Sequence, residues 1–243
     1  MTQREKLFEK FPPVSTEKWM EKITADLKGA DFKKKLVWKT RDGLAVMPFY
    51  RQEDTAKLQL KESLPGDYPY VRGTRVADNS WLVRQDITVK DYNEANLRAL
   101  EILMKGVTSL GFIIDNPETI NAANITMLLN GIHCENVELN FTSAGKAKEL
   151  LACLQSAMWT SGTDLKQVRA SIAADPLGRL IVNGKLCVPV EEGLDYLAGL
   201  VRESVSIPGL RCVHPSGTVF SNAGAGPVAA AAALAGRADR QCA

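Results

Sequence analysis

Three arginines and two tyrosines crowd the stretch LPGDYPYVRGTRVADNSWLVRQ, residues 64–85. A planar guanidinium suits phosphate, and a phenol ring can stack on a base. Tyr70, Arg72 and Arg75, with Tyr68 beside them, are therefore candidate contacts for a phosphorylated ligand carrying a ring. The competing reading makes the same residues a structural pin, with Arg72-Gly73 and the tyrosines fixing an N-terminal arm against the body that follows. Asp86, Asp115 and Asp175 fall near the ends of apolar runs, where an aspartate can serve as a general base or simply cap a turn. His133-Cys134 is an adjacent pair of metal-type ligands without a second pair, and reads as packing or a helix end. The five cysteines (Cys134, Cys153, Cys187, Cys212, Cys242) are odd in number and never spaced C-x-x-C, which argues against both a zinc site and a disulfide framework.

The elements that must hold these residues follow from pattern. Ser15 or Thr16 can cap a helix carrying Trp19, Ile23 and Leu27 on one face, with Gly29 as its stop. Leu36-Val37-Trp38, a turn at Arg41-Asp42-Gly43, and Leu44-Ala45-Val46 read as a hairpin. Lys33-Lys34-Lys35 reads as a solvated strand entry rather than an anion site. This helix and hairpin are too small for a core of their own. From Trp81 onward, strands are expected at 82–87, 110–114, 137–141, 168–173 and 210–213, with helices over 93–105, 117–130, after Thr142 or Ser143, and 191–203. Strand starts recur roughly every 27 to 42 residues, the spacing of βαβ units and a parallel sheet. No strand is followed by G-x-G-x-x-G or a P-loop. After Gly226-Pro227-Val228 the chain becomes alanine-rich and low in complexity, reading as a frayed helix or disorder.

Composition narrows the class. The 243 residues carry a net charge of +2, with 45% hydrophobic and 24% charged residues. Such a near balance gives no electrostatic footprint for nucleic acid. No window reaches the roughly 18 apolar residues of a membrane span, and Met1–Lys10 lacks the apolar core of a secretion signal, so a cytoplasmic protein is expected.

The runs FPPVSTEKWMEKITADLKGADF, LVWKTRDGLAVMPFY, PGDYPYVRG and WLVRQDI together resemble the N-terminal portion of the methylmalonyl-CoA mutase family, and within it the small subunit of the heterodimeric bacterial members. The resemblance continues through NEANLRALEILMKGVTSLGFIID, SIAADPLGRL and SGTVFSNAGA. It implies an α/β fold in which an N-terminal helix-hairpin arm (1–63) leads into about five strands of a partial (β/α)8 TIM-type barrel (64–225), followed by a low-complexity tail (226–243). It also implies a large partner subunit, acyl-CoA as substrate of the complex, and adenosylcobalamin as the cofactor of the holoenzyme. The family's cobalt-ligating D-x-H-x-x-G is absent, since His133 precedes Cys-Glu-Asn and His214 precedes Pro-Ser-Gly, so no cofactor-binding residue is carried over.

Catalytic subunits place a tyrosine between the Arg-Gly and the tryptophan; here Thr74–Ser80 is short and has none. Their strand-four glutamine matches Ala173, their carboxylate-binding arginine matches Asn183, and their tyrosine-histidine pair matches Thr218 and Val219. These four side chains supply neither a cationic fork for a carboxylate nor a proton-donating ring. The resemblance thus implies a non-catalytic, structural small subunit. Two other readings stand beside it: an acyl-CoA-binding or catalytic barrel using Tyr70, Arg72 and Arg75, and an unrelated α/β enzyme acting on a phosphorylated metabolite.

Overall fold

The computed structural model describes residues 11–58, 63–78, 80–143 and 145–242, with side chains through 238. The expectations for Met1–Lys10, for part of the connector after residue 58 and for the Cys242 side chain fall outside the described residues. Two units emerge, residues 1–76 and 77–243.

The first unit begins with α1 (Thr16–Asp26), where Ser15 accepts from the Lys18 amide and supplies the expected cap. A one-turn helix, α2 (Phe32–Leu36), follows, capped by Asp31, which accepts from the Lys34 amide at 2.8 Å. The three lysines therefore ride on a helix rather than entering a strand; Asp31 offers the backbone a local bond that an extended chain would forgo. The hairpin is β1 (Trp38–Lys39) and β2 (Ala45–Val46), antiparallel with Trp38 opposite Val46. Trp19 lies 5.7 Å from the Phe49 ring, and the Arg51 guanidinium sits 5.8 Å over Trp19. No described residue of this unit is buried.

The second unit is a five-stranded, wholly parallel sheet in sequential order: β3 (Arg84–Thr88), β4 (Ser109–Ile114), β5 (Glu138–Ser143), β6 (Ala170–Ala174) and β7 (Leu210–Val213). Parallel neighbours need long crossovers, and helices provide them. α3 (Tyr92–Leu103) and α4 (Ala122–Leu129) lead into β4 and β5; α5 (Ala147–Thr160) leads into β6. α6 (Pro176–Asn183) and α7 (Val190–Glu203) lead into β7, and α8 (Thr218–Asn222) and α9 (Pro227–Cys242) follow it. Sequential parallel strands crossed by helices are the arrangement of a partial TIM-type barrel.

One face of the sheet is apolar and builds the core. Leu110, Phe112 and Ile114 of β4 stand beside Leu139 and Phe141 of β5, and Ala170 and Ile172 continue the layer on β6. Phe112 and Phe141 stack at 5.5 Å. Ile102, Ile125, Leu128, Leu150, Leu154 and Leu200 cover them from the helices, each within 2% of full burial. At about 1.5–3 kcal/mol per large apolar side chain, this layer dominates what holds the unit together. Asn96, buried on α3, donates to the carbonyls of Leu128 and Asn130 at 2.8 Å, satisfying acceptors that the end of α4 leaves open.

Candidate functional site

The opposite face of the sheet carries polar side chains, and the register brings them together. Arg84 stands beside Ser109, Ser109 beside Glu138, Asn140 beside Ser171, and Ser171 beside Arg211. Ser109 Oγ donates to Glu138 Oε2 at 2.7 Å, and Asn140 Nδ2 donates to Ser109 Oγ at 3.0 Å and to Glu138 Oε2 at 3.3 Å. Ser171 Oγ donates to Asn140 Oδ1 at 2.6 Å, and Arg211 Nη2 donates to Glu138 Oε1 at 2.8 Å. On β3, Arg84 Nε pairs with Asp86 Oδ1 at 2.7 Å. This pair leans across Gly111, where an added Cβ would stand 1.8 Å from Asp86 Oδ1. Burial works to raise the Glu138 carboxyl, but the bonds from Ser109 and Asn140 and the charges of Arg211 and Arg169 hold it below the ordinary glutamate range. In a TIM-type barrel this face is the lumen. Here a continuous chain of hydrogen bonds and one carboxylate–guanidinium pair occupies it from β4 to β7.

At the carboxyl end of the sheet lies a cavity of about 260 Å³ between β6, α6 and α7, lined in part by Ala173, Asp175, Arg179, Asn183, Cys187 and Tyr196. Asp175 follows β6 directly and caps α6, accepting from the Gly178 amide at 2.8 Å, while Pro176 takes the first helical position. The structure thus gathers Ala173 and Asn183 around one cavity. Thr218 and Val219 open α8 two residues beyond Ser216, whose amide donates to Asp175 Oδ2 at 3.1 Å. Alanine and asparagine bring no charge to this cavity; its cations are Arg179 and Lys185 and its carboxylates Asp175 and Glu192.

Tyr70, Arg72 and Arg75 belong to the first unit, and all three are exposed. Their loop is held by its own backbone: Gly66 N donates to Gly73 O at 2.8 Å, and Gly73 N donates to Tyr70 O at 2.9 Å. Tyr68-Pro69 is a cis peptide, Tyr70 has φ of +61°, and the Tyr68 and Tyr70 rings meet edge to face at 6.0 Å. Of the candidate general bases, Asp86 is paired with Arg84, Asp175 serves as a cap, and Asp115 is exposed after β4. Cys134 is buried beside His133, and burial first, then the nearby Glu135 charge, pushes its thiol up to about 11. Among the described residues, no group of three His, Cys, Asp or Glu is placed to hold a metal ion. Nor is any described helix long and apolar enough to cross a membrane.

Sequence reasoning missed the Ser109–Glu138–Asn140–Ser171–Arg211 chain, whose members come from four strands and meet only through register. It also missed Arg179 in the cavity, because no helix is expected over 176–183; the Asp-Pro start of α6 is the available signal.

Fold and site define an α/β protein built on the first strands of a TIM-type barrel, with a polar lumen face and a carboxyl-end cavity. The family model described as methylmalonyl-CoA mutase matches residues 39–122 and 119–237. The chain belongs to the methylmalonyl-CoA mutase family. It is 43% identical over 232 residues to the methylmalonyl-CoA mutase small subunit of Porphyromonas gingivalis, covering 92% of this chain and 36% of that protein. It is 29% identical to the small subunit of Propionibacterium freudenreichii subsp. shermanii, over 90% of this chain and 35% of that protein. To the mitochondrial methylmalonyl-CoA mutase of Homo sapiens it is 25% identical, over 85% of this chain and 30% of that protein. The chain spans about a third of the length of these relatives.

Proposed function

We propose that this chain is the N-terminal part of the small subunit of a heterodimeric, adenosylcobalamin-dependent methylmalonyl-CoA mutase, which interconverts methylmalonyl-CoA and succinyl-CoA in the cytoplasm. In this reading it supports a catalytic large subunit and turns over no substrate itself. The same reading takes residues 1–63 as the arm, 64–225 as the barrel portion and 226–243 as the tail, although 64–76 pack with the first unit. What supports the reading is the carboxyl-end cavity, lined by Ala173 and Asn183, which the family resemblance sets against a glutamine and a carboxylate-binding arginine of catalytic subunits. The lumen face adds to it, since its polar side chains are bonded to one another through Glu138.

Adenosylcobalamin would supply radical chemistry to the complex. The residues of this chain do not fit it as a ligand set: His133 lies beside buried Cys134 before β5, and the exposed His214 follows β7 without D-x-H-x-x-G around it. The reading therefore places the cofactor in the holoenzyme away from the residues of this chain. Purification of the chain with and without the large subunit tests the assignment. No mutase turnover is expected from the chain alone with adenosylcobalamin supplied; turnover there overturns it.

A second reading rests on the exposure of Tyr70, Arg72 and Arg75. These could contact the phosphates and adenine of a CoA ester in the assembled heterodimer. Isothermal titration of CoA into the heterodimer, with Arg72→Ala and Arg75→Ala for comparison, decides this. Equal heats from all three proteins would dispose of it.

A further inference from the structure

Helix α9 is attached differently from the other long helices of its unit. α3, α5 and α7 each bury apolar side chains in the core, among them Ile102, Leu150, Leu154 and Leu200. Among the described residues α9 contributes none to that core, and Val228 at its start is exposed. The buried side chain it does present is Arg237, 6% exposed.

A buried guanidinium is costly unless paired, and this one is received by a prepared notch. Its Nη2 donates to Asp175 Oδ2, its Nη1 donates to the Ser216 carbonyl oxygen at 3.0 Å, and it lies 5.4 Å over the Phe220 ring. Gly178 leaves the room, since a Cβ there would stand 2.6 Å from Arg237 Nη2. Asp175 is already the cap of α6 and the acceptor for the Ser216 amide. One guanidinium therefore closes a ring of bonds joining the end of β6, the segment after β7 and the tail helix. Leu234, one turn earlier on α9, faces Gly217, where an added Cβ would stand 3.7 Å from Leu234 Cδ2. A crossover helix would run down the apolar face of the sheet; this one is pinned at the carboxyl ends of the strands.

We propose that α9 is a strap across the carboxyl ends of β6 and β7, fastened at one point by Arg237 on Asp175, and that its release uncovers the β6–α6 and β7–α8 segments. Beside Arg237 that face of the helix carries only the half-buried Ala230, Ala233, Leu234 and Ala238, little apolar area to hold it once the ion pair opens, so docking follows the state of that pair. The segments beneath it carry Ala173, Thr218 and Val219, so the strap controls access to that end of the barrel whether or not the chain binds substrate.

Hydrogen exchange on the full chain tests this, comparing it with Arg237→Met and Asp175→Asn. Methionine keeps side-chain length and helix propensity, so the helix can still form while the fastening is lost. Amides of 216–222 and 228–238 are expected to exchange roughly tenfold faster in both variants, with the strands 109–114 and 138–143 unchanged. Asp175→Asn removes the charge while its oxygen can still cap α6, which residues 176–183 report separately; Arg237→Met, which leaves that cap untouched, is decisive. Unchanged exchange in Arg237→Met overturns the proposal. So does an equal rise in the strands, which would make the pair a general support of the unit. A tail already unprotected in the unmodified chain overturns it as well.

Discussion

Glu138→Gln removes one charge from the lumen face and keeps nearly the same shape. The carboxylate meets Ser109 and Asn140 on one oxygen and Arg211 on the other. These contacts are unequal. Ser109 is fully buried, whereas the Arg211 side chain is 71% exposed and the Glu138 side chain 14%. A hydrogen bond to a buried charged acceptor contributes about 1.5–3 kcal/mol, while an ion pair with an exposed arginine contributes about 0–1 kcal/mol. Glu138→Gln is therefore expected to cost about 2 kcal/mol near neutral pH, and Arg211→Ala less than about 1 kcal/mol. The folded carboxyl titrates below its unfolded value of about 4.3, so its stabilisation is complete above that value and is lost as pH falls through the lower, folded one. Urea unfolding of the three proteins, at neutral pH and again on the acid side, measures both effects. The gap between glutamate and glutamine should close in acid. An Arg211→Ala loss as large as that of Glu138→Gln would refute the reasoning, as would a gap indifferent to pH.

Three further outcomes follow from the packing. Phe141→Ala removes a ring that is 1% exposed and stacked on Phe112, and should cost about 3–5 kcal/mol by the same urea titration; a loss under 1 kcal/mol would contradict the core described. Gly209→Ala would place a Cβ 2.2 Å from the Val168 carbonyl oxygen, a backbone atom with little room to yield, so thermal unfolding should show a loss of about 1–3 kcal/mol. Alkylation followed by mass spectrometry should modify exposed Cys187 well before Cys134, whose burial keeps it a thiol up to about 11; the reverse order would place Cys134 at the surface.

The sheet was legible because its core strands are short apolar runs separated by helix-length segments. Leu210–Val213 lies where expected, and the strands at 109–114 and 138–143 are displaced by only one or two residues. Start signals misled where local chemistry had two uses. Asp175-Pro176 reads equally as a turn or as a cap followed by a first-position proline, and α6 is the second. Expected caps at Thr142 or Ser143 give way to Lys146 in the left-handed region, so α5 starts later without a side-chain bond. The segment 117–130 divides into a short 3-10 turn, Pro117–Thr119, and α4, because Asn121 caps anew. For the site, the cavity positions Ala173 and Asn183 were legible through the family resemblance. The Glu138 chain was not, since nothing in Ser109, Asn140, Ser171 or Arg211 alone announces the register that joins them.

The sequential strand order also bears on how the sheet is made. Each strand from β4 onward pairs with the one that immediately precedes it in the chain. Synthesis proceeds from the N-terminus at about 5–20 residues per second, so every new strand meets an edge already formed. None waits for a distant partner, and loop closure is confined to one helical crossover at a time. The sheet can therefore grow by addition as it leaves the ribosome, with β7 the last of its five strands to join.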